Sequence, residues 1–286
     1  MHLRALGGLK LLVVMVAFVG GLNAASGTLT DRMVTPKQLR AAVHKPASQL
    51  VRNATPQPNW TKYTGPVPIL VYHDLGLAPA SEPYPGLYVS DANFEAEMAW
   101  LHQSGYQAVT LDEVMRAWFQ GGTLPHKPIV ITFDNGYLPQ VTFAPHVMAK
   151  YGWPGVLNEI TEDHLHPKQI WPIIHMGWEV DSHSLTHPDL TELDSEDLQA
   201  QVVQSRQYLQ KTFHIPVNSF CYPSSRYNAA VVAAVEAAGY TNAVTENPGY
   251  ATSSEPFLLP RFEIESGVTE LQSDLLSNQP AAYLSS

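Results

Sequence analysis

From Val67 onward, short apolar runs alternate with stretches whose apolar residues recur at three- and four-residue spacing. Residues 67–72 have the pattern of a buried strand, and residues 128–133, the unbroken Pro-Ile-Val-Ile-Thr-Phe, are the clearest one. Residues 106–110, 178–182, 219–222 and 241–244 are further strand segments. Between them, residues 91–104 place Phe94, Met98 and Leu101 at helical spacing behind an expected N-cap at Asp91. Residues 111–119, 194–212 and 228–238 are the other helices, the last ended by Gly239. Strands separated by helices pair in parallel, which predicts an α/β fold, a (β/α) barrel or an open sheet. In such folds the chemistry gathers at the C-terminal ends of the strands.

The first 66 residues break this pattern. His2, Arg4 and Lys10 precede an apolar run at 11–22, and Ala24, Ala25 and Ser26 follow. That order is expected of an export signal over 1–26, cleaved or kept as an N-terminal anchor. The run is short for a membrane span, which takes about 20 apolar residues. Either outcome places the protein outside the cytoplasm, secreted or on the envelope. Residues 27–66 show no period and are rich in Pro, Thr and Gln, as in a spacer. Arg32, Lys37, Arg40, Lys45, Arg52 and Lys62 stand there against Asp31 alone. A basic tether can rest on anionic wall polymer or lipid headgroups, although a solvated linker is the simpler reading. Residues 67–286 are then the main folded domain.

Composition narrows the chemistry. The 286 residues are 45% hydrophobic and carry a net charge of −10, which supports a packed core and argues against nucleic acid as the main ligand. The single cysteine, Cys221, excludes an internal disulfide and a cysteine-cluster metal site. A metal must then be held by histidine and oxygen donors. Three strand ends carry suitable groups. Asp134-Asn135-Gly136 follows the strand at 128–133, with helix capping as the plainer alternative. His183 and His187, four apart, share a face if their turn is helical. His73 ends the strand at 67–72. Together they suit metal-assisted hydrolysis.

These segments resemble the polysaccharide deacetylase family (carbohydrate esterase family 4). Thr132-Phe133-Asp134-Asn135-Gly136 matches the family's Thr-Phe-Asp-Asp-Gly with one change. His183-Ser184-Leu185-Thr186-His187 matches its His-Ser/Thr-x-x-His in full. Tyr222-Pro223-Ser224-Ser225-Arg226-Tyr227 is similar to its aromatic-Pro segment, and Leu259-Pro260-Arg261 to a later one. The Tyr72-His73 pair most resembles the branch of poly-N-acetylglucosamine deacetylases. The resemblance implies a distorted (β/α) barrel and a metal-dependent removal of N-acetyl groups from a β-linked amino-sugar polymer. Candidate polymers are peptidoglycan, poly-N-acetylglucosamine and chitin-like chains. It implies Asp134 as general base, His73 as the acid for the leaving amine, and a divalent ion, zinc with cobalt or nickel as alternatives, on His183, His187 and Asn135. The segment at Tyr222 and Ser224 would meet the oxyanion or substrate. Arg261 would keep Asp134 ionised, with Arg226 as rival. Asn135 is the departure: the family places a second Asp there, so one negative charge is lost beside the ion. That opens three outcomes: a loosely held metal, a catalytically impaired glycan-binding protein, or deamidation of Asn135 to restore the carboxylate. A glycosidase using paired carboxylates is the remaining rival.

Overall fold

The computed structural model describes residues 50–162 and 165–284. The expected signal segment and residues 27–49 of the expected spacer lie outside the described residues. Thirteen strands are described: β1 (Thr61–Lys62), β2 (Val67–Tyr72), β3 (Asp74–Leu75), β4 (Tyr88–Val89), β5 (Gln107–Ala108), β6 (Thr123–Leu124), β7 (Pro128–Asn135), β8 (Val156–Glu159), β9 (Glu179–Ser182), β10 (Ser219–Cys221), β11 (Asn242–Val244), β12 (Tyr250–Ala251) and β13 (Phe262–Glu263). The main sheet runs β11-β10-β9-β8-β7-β2-β12, with β5 paired to β7 and β13 to β2. Every pairing from β2 to β11 is parallel; β12 alone is antiparallel to β2.

The sheet curls far enough to meet itself. Leu259 N donates to Ala243 O and Thr245 N to Leu259 O, which ties the stretch before β13 to β11. β13 then pairs with β2 at Phe262–Leu70 and Glu263–Val71. The segment 259–263 thus joins the two sides of a distorted (β/α) barrel, and Arg261 sits within that seam.

Strand alternation sorts the side chains into two layers. Leu70 and Tyr72 of β2 and Ile131 and Phe133 of β7 pack outward against Phe94, Met98 and Leu101 of the helix Asp91–Gln103. Ile69, Val130, Val156, Cys221, Val244 and Leu259 form a second buried cluster on the other face. Thr132 and Asp134 share the parity of Val130, and the register sets Asp134 beside Asn158 and Asn158 beside Asp181. Polar residues therefore cap the inner layer at the C-terminal ends of the strands.

Three expectations change. The first helix is capped by Ser90, whose hydroxyl accepts from Asn93 N, so Asp91 is its first residue. The helix expected over 194–212 consists of Ser195–Gln199 and Ser205–Phe213 around a π turn, Ala200–Gln204. The expected spacer is too long at its C-terminal end. Residues 50–66 dock by isolated anchors: Val51, Trp60 and Tyr63 are buried, Asn53 donates to Ala108 O, and β1 pairs with β6. Such scattered anchors have no period, so composition alone suggested a linker.

Candidate active site

Asp134 ends the inner face of β7 and is fully buried. Arg261 grips it with both guanidinium nitrogens, Nη1 to Oδ1 at 2.9 Å and Nη2 to Oδ2 at 2.7 Å. Asn158 Nδ2 also donates to Oδ1 at 2.7 Å, and the Cys221 thiol to Oδ2 at 3.2 Å. Burial alone would raise the carboxyl pKa, but the adjoining Arg261 charge and its bonds hold it well below the usual carboxylate range. Arg261 is thus the partner expected for Asp134. Arg226, the rival, pairs with Asp189 instead.

His183 follows β9. Its Nδ1 lies 2.9 Å from Cys221 O, an arrangement that directs Nε2 to the other side as a lone-pair donor. Burial lowers its pKa to about 3, so the ring is neutral, the form that binds a metal. The His183 and His187 ring centroids are 4.6 Å apart. No helix joins them, so the helical condition for a shared face is not met: Ser184 (φ 68°) and His187 (φ 59°) adopt left-handed backbone and the chain bends between them. Gln201, in the π turn, holds this bend. Its Oε1 accepts from Leu185 N and Thr186 N at 3.1 Å each, and Nε2 donates to Thr186 Oγ1 at 2.8 Å.

Asn135 also has left-handed backbone (φ 79°), which ends β7. Its Nδ2 donates to Tyr137 Oη at 3.3 Å, while Oδ1 is buried with no hydrogen-bond partner. A buried, unpaired amide oxygen costs free energy unless something accepts its lone pair, and it lies one residue from Asp134. An amide oxygen and two imidazoles make a donor set that suits a divalent ion of the zinc type. Gly136 follows at φ 88°, where a Cβ would come within 2.2 Å of Glu159 Oε2; only glycine fits.

His73 lies just past β2, on the same end of the barrel. Gln140, fully buried, bridges the two strand ends: its Nε2 donates to His73 O and to Asp134 O, 2.6 Å each. His73 Nε2 is 3.7 Å from Glu246 Oε1, and Nδ1 is 3.6 Å from Glu263 Oε1. Burial lowers the His73 pKa below its ordinary value, and the charge of His187 acts in the same direction. The structure therefore brings His73, Asp134, Arg261, His183 and His187 to one mouth. Asn158, Gln140, Gln201, Cys221 and Glu246 were not singled out from sequence as parts of it.

Tyr222 is a correction. It follows Cys221 and so has the opposite parity, among Phe220, Tyr227 and Tyr240. Its hydroxyl donates to Phe257 O and its backbone N to Val244 O, so neither polar hydrogen is left for an oxyanion or substrate. Ser224 is exposed and left-handed (φ 49°) in the turn after β10. A groove of about 510 Å³ lined by Asp112, Met115, Arg116, Phe119 and Asn218 lies at the opposite ends of the strands and holds none of these groups.

Comparison with known proteins agrees with this geometry. Residues 121–243 match the polysaccharide deacetylase family model. The chain is 29% identical over 242 residues to YxkH of Bacillus subtilis (strain 168), which carries a provisional polysaccharide deacetylase name; the match covers 82% of this chain and 85% of that protein. A 60-residue stretch, 21% of this chain and 9% of the relative, is 37% identical to the poly-beta-1,6-N-acetyl-D-glucosamine N-deacetylase of Escherichia coli (strain K12). In fold, the Streptococcus pyogenes deacetylase PplD in complex with acetate superposes with a TM-score of 0.69 at 24% identity, covering 76% of this chain and 100% of that one. The family match spans the strands that carry Asp134 and Cys221 and the segment that carries His183, the relative extends the likeness over most of the chain, and the barrel is shared: residues 121–243 carry a domain of the polysaccharide deacetylase family.

Proposed function

We propose that the protein removes N-acetyl groups from a β-linked amino-sugar polymer with the help of a divalent ion. One observation carries the reading: the neutral, oriented His183 stands against His187 and close to an ionised Asp134, the residue before Asn135 with its unpaired Oδ1. His183, His187 and Asn135 would hold the ion, which when bound polarises the acetyl carbonyl and stabilises negative charge on its oxygen. Asp134, kept ionised by Arg261, accepts a proton from the attacking water. His73 delivers a proton to the departing amine. The exposed turn offers the backbone N–H of Ser224 to the oxyanion. The local likeness to a poly-N-acetylglucosamine deacetylase supports an exported glycan as substrate. The basic residues of the N-terminal stretch suit contact with anionic wall polymer or a membrane surface, with the mature protein outside the cytoplasm.

The test is acetate release from N-acetylglucosamine oligomers by protein stripped of metal and reloaded with zinc, cobalt or nickel. We expect release only after loading, and its loss in Asp134→Ala. Background release with all three ions would end this reading. A second reading, a glycan-binding protein of impaired activity, is favoured by one fact: each oxygen of Asp134 already meets two donors. It predicts oligosaccharide binding unaltered by metal removal.

A further inference from the structure

Amide hydrolysis at this site leaves a proton on the base and takes one from the acid, so every turnover ends with Asp134 and His73 in the wrong protonation states. Asp134 is wholly enclosed, and His73 is only 8% exposed. Glu246 stands beside both. Its Oε1 lies 3.7 Å from His73 Nε2 and 3.9 Å from Arg261 Nη2. One atom each of His73, Asp134 and Glu246 falls within 4.8 Å of the other two. The Glu246 side chain is 20% exposed, which gives it contact with the opening. Its backbone is fixed: Glu246 N donates to Ser225 Oγ at 2.8 Å, and Arg261 N to the neighbouring Asn247 O at 3.0 Å.

We propose that Glu246 is a proton relay that carries the proton accepted at Asp134 to His73, from which it reaches the leaving amine. This rests on the deacetylase reading above. In the first transfer the Asp134 O–H bond breaks and a Glu246 O–H bond forms. In the second, that bond breaks as an N–H bond forms at His73 Nε2. The proton taken from water ends on the amine nitrogen and the hydroxyl on the acetyl carbon, so nothing is gained or lost. The 3.7 Å gap is crossed by a small rotation or through one water.

The groups facing Glu246 are Arg261, Asp134, Glu263, His73 and the Cys221 thiol. Burial raises the Glu246 carboxyl to about 7 against the pull of Arg261, with Asp134 and Glu263 adding to the rise. Glu263, on the other side of His73, is 33% exposed and is not within that close group with Asp134, so it lacks the second connection.

The experiment compares zinc-loaded wild type, Glu246→Gln, Glu246→Asp and Glu263→Gln on N-acetylglucosamine oligomers. Glutamine keeps the shape of the side chain but cannot carry the proton. Glu246→Gln should lower kcat by on the order of 100-fold, leave KM within about threefold, and erase the step near pH 7 from the kcat profile. Glu246→Asp should restore about a tenth of the rate or more, and Glu263→Gln should stay within about threefold of wild type. Independently of turnover, the His73 ring proton followed by NMR should titrate in two steps in wild type and one in Glu246→Gln. An active wild type beside an equally active Glu246→Gln with the same pH profile overturns the relay and leaves the deacetylase reading standing. A single-step His73 titration in wild type also overturns the relay without any variant. A wild type that releases no acetate with zinc, cobalt or nickel removes both.

Discussion

Asp134 holds more donors than a working base needs. A carboxylate oxygen offers two lone pairs, and here Arg261 and Asn158 occupy Oδ1 while Arg261 and Cys221 occupy Oδ2. The thiol is the weakest of the four donors, and water displaces it most easily. Cys221→Ala should therefore raise kcat and Cys221→Ser, a stronger donor in the same place, should lower it, each by a few-fold; equal rates in both variants would remove this role. At position 135, Asn135→Asp restores an anionic oxygen where a neutral amide now stands. Zinc affinity, read by competition with a chelating dye, should rise about tenfold or more, which is 1.4 kcal/mol. The Asp134–Arg261 pair has no exposure on either side. Arg261→Ala strands a buried charge, and denaturant melts at pH 7 should show a loss of about 3–5 kcal/mol. Because the folded-state pKa of Asp134 is depressed, its stabilisation is present above the ordinary carboxylate range and fades as pH falls below it.

The elements that shape the site are bent rather than regular. Two departures from helix and strand geometry align the histidines: the π turn at Ala200–Gln204, which presents Gln201, and the left-handed bend it secures. Gln140, in the short helix Leu138–Thr142, clamps the ends of β2 and β7 together. At the other end of the domain, residues 50–66 serve as a strap. Trp60 is 6% exposed, so Trp60→Ala should cost about 3–5 kcal/mol in a thermal or denaturant melt. A chain beginning at residue 50 should melt with the full-length protein, whereas one beginning at 67 should melt lower. Equal melting of those two would restore the spacer reading for 50–66.

Across the described residues, burial shifts several carboxyl groups toward the protonated form. Desolvation raises Glu97, Glu113 and Glu246 to about 7 and Glu159 to about 8. A raised folded-state value means that the native protein binds more protons than the unfolded chain. The stability from these groups is full below about pH 4, where the unfolded chain is protonated too, and is lost as pH rises through 7 and 8. The Tm should fall between pH 5 and 8, and Glu159→Gln should flatten the upper part of that decline. A Tm constant across the range would show that these carboxyls do not titrate with folding. Much of the architecture was readable from the chain. β2 has the expected bounds, β7 runs two residues past its expected end, and the alternation of elements predicted the parallel pairing while leaving barrel and open sheet as alternatives. Asp134, His183 and His187 were readable as well, because each sits in a contiguous motif at a strand end.

Local information stops where register begins. Periodicity sets which residues of a strand are buried and which motifs stand at its end, since neighbours in sequence are neighbours in space. It does not set which side chain of one strand meets which of another. Asn158, Cys221 and Glu246 reach Asp134 and His73 only because parallel register and the seam at 259–263 bring five distant segments to one point. The same closure turned Tyr222 away from the mouth, since strand alternation gives it the opposite parity to Cys221. The chain by itself determined the strands, helices and the ionisable motifs at their ends; the folded barrel decided which donors surround each carboxylate, because burial and charge act through space.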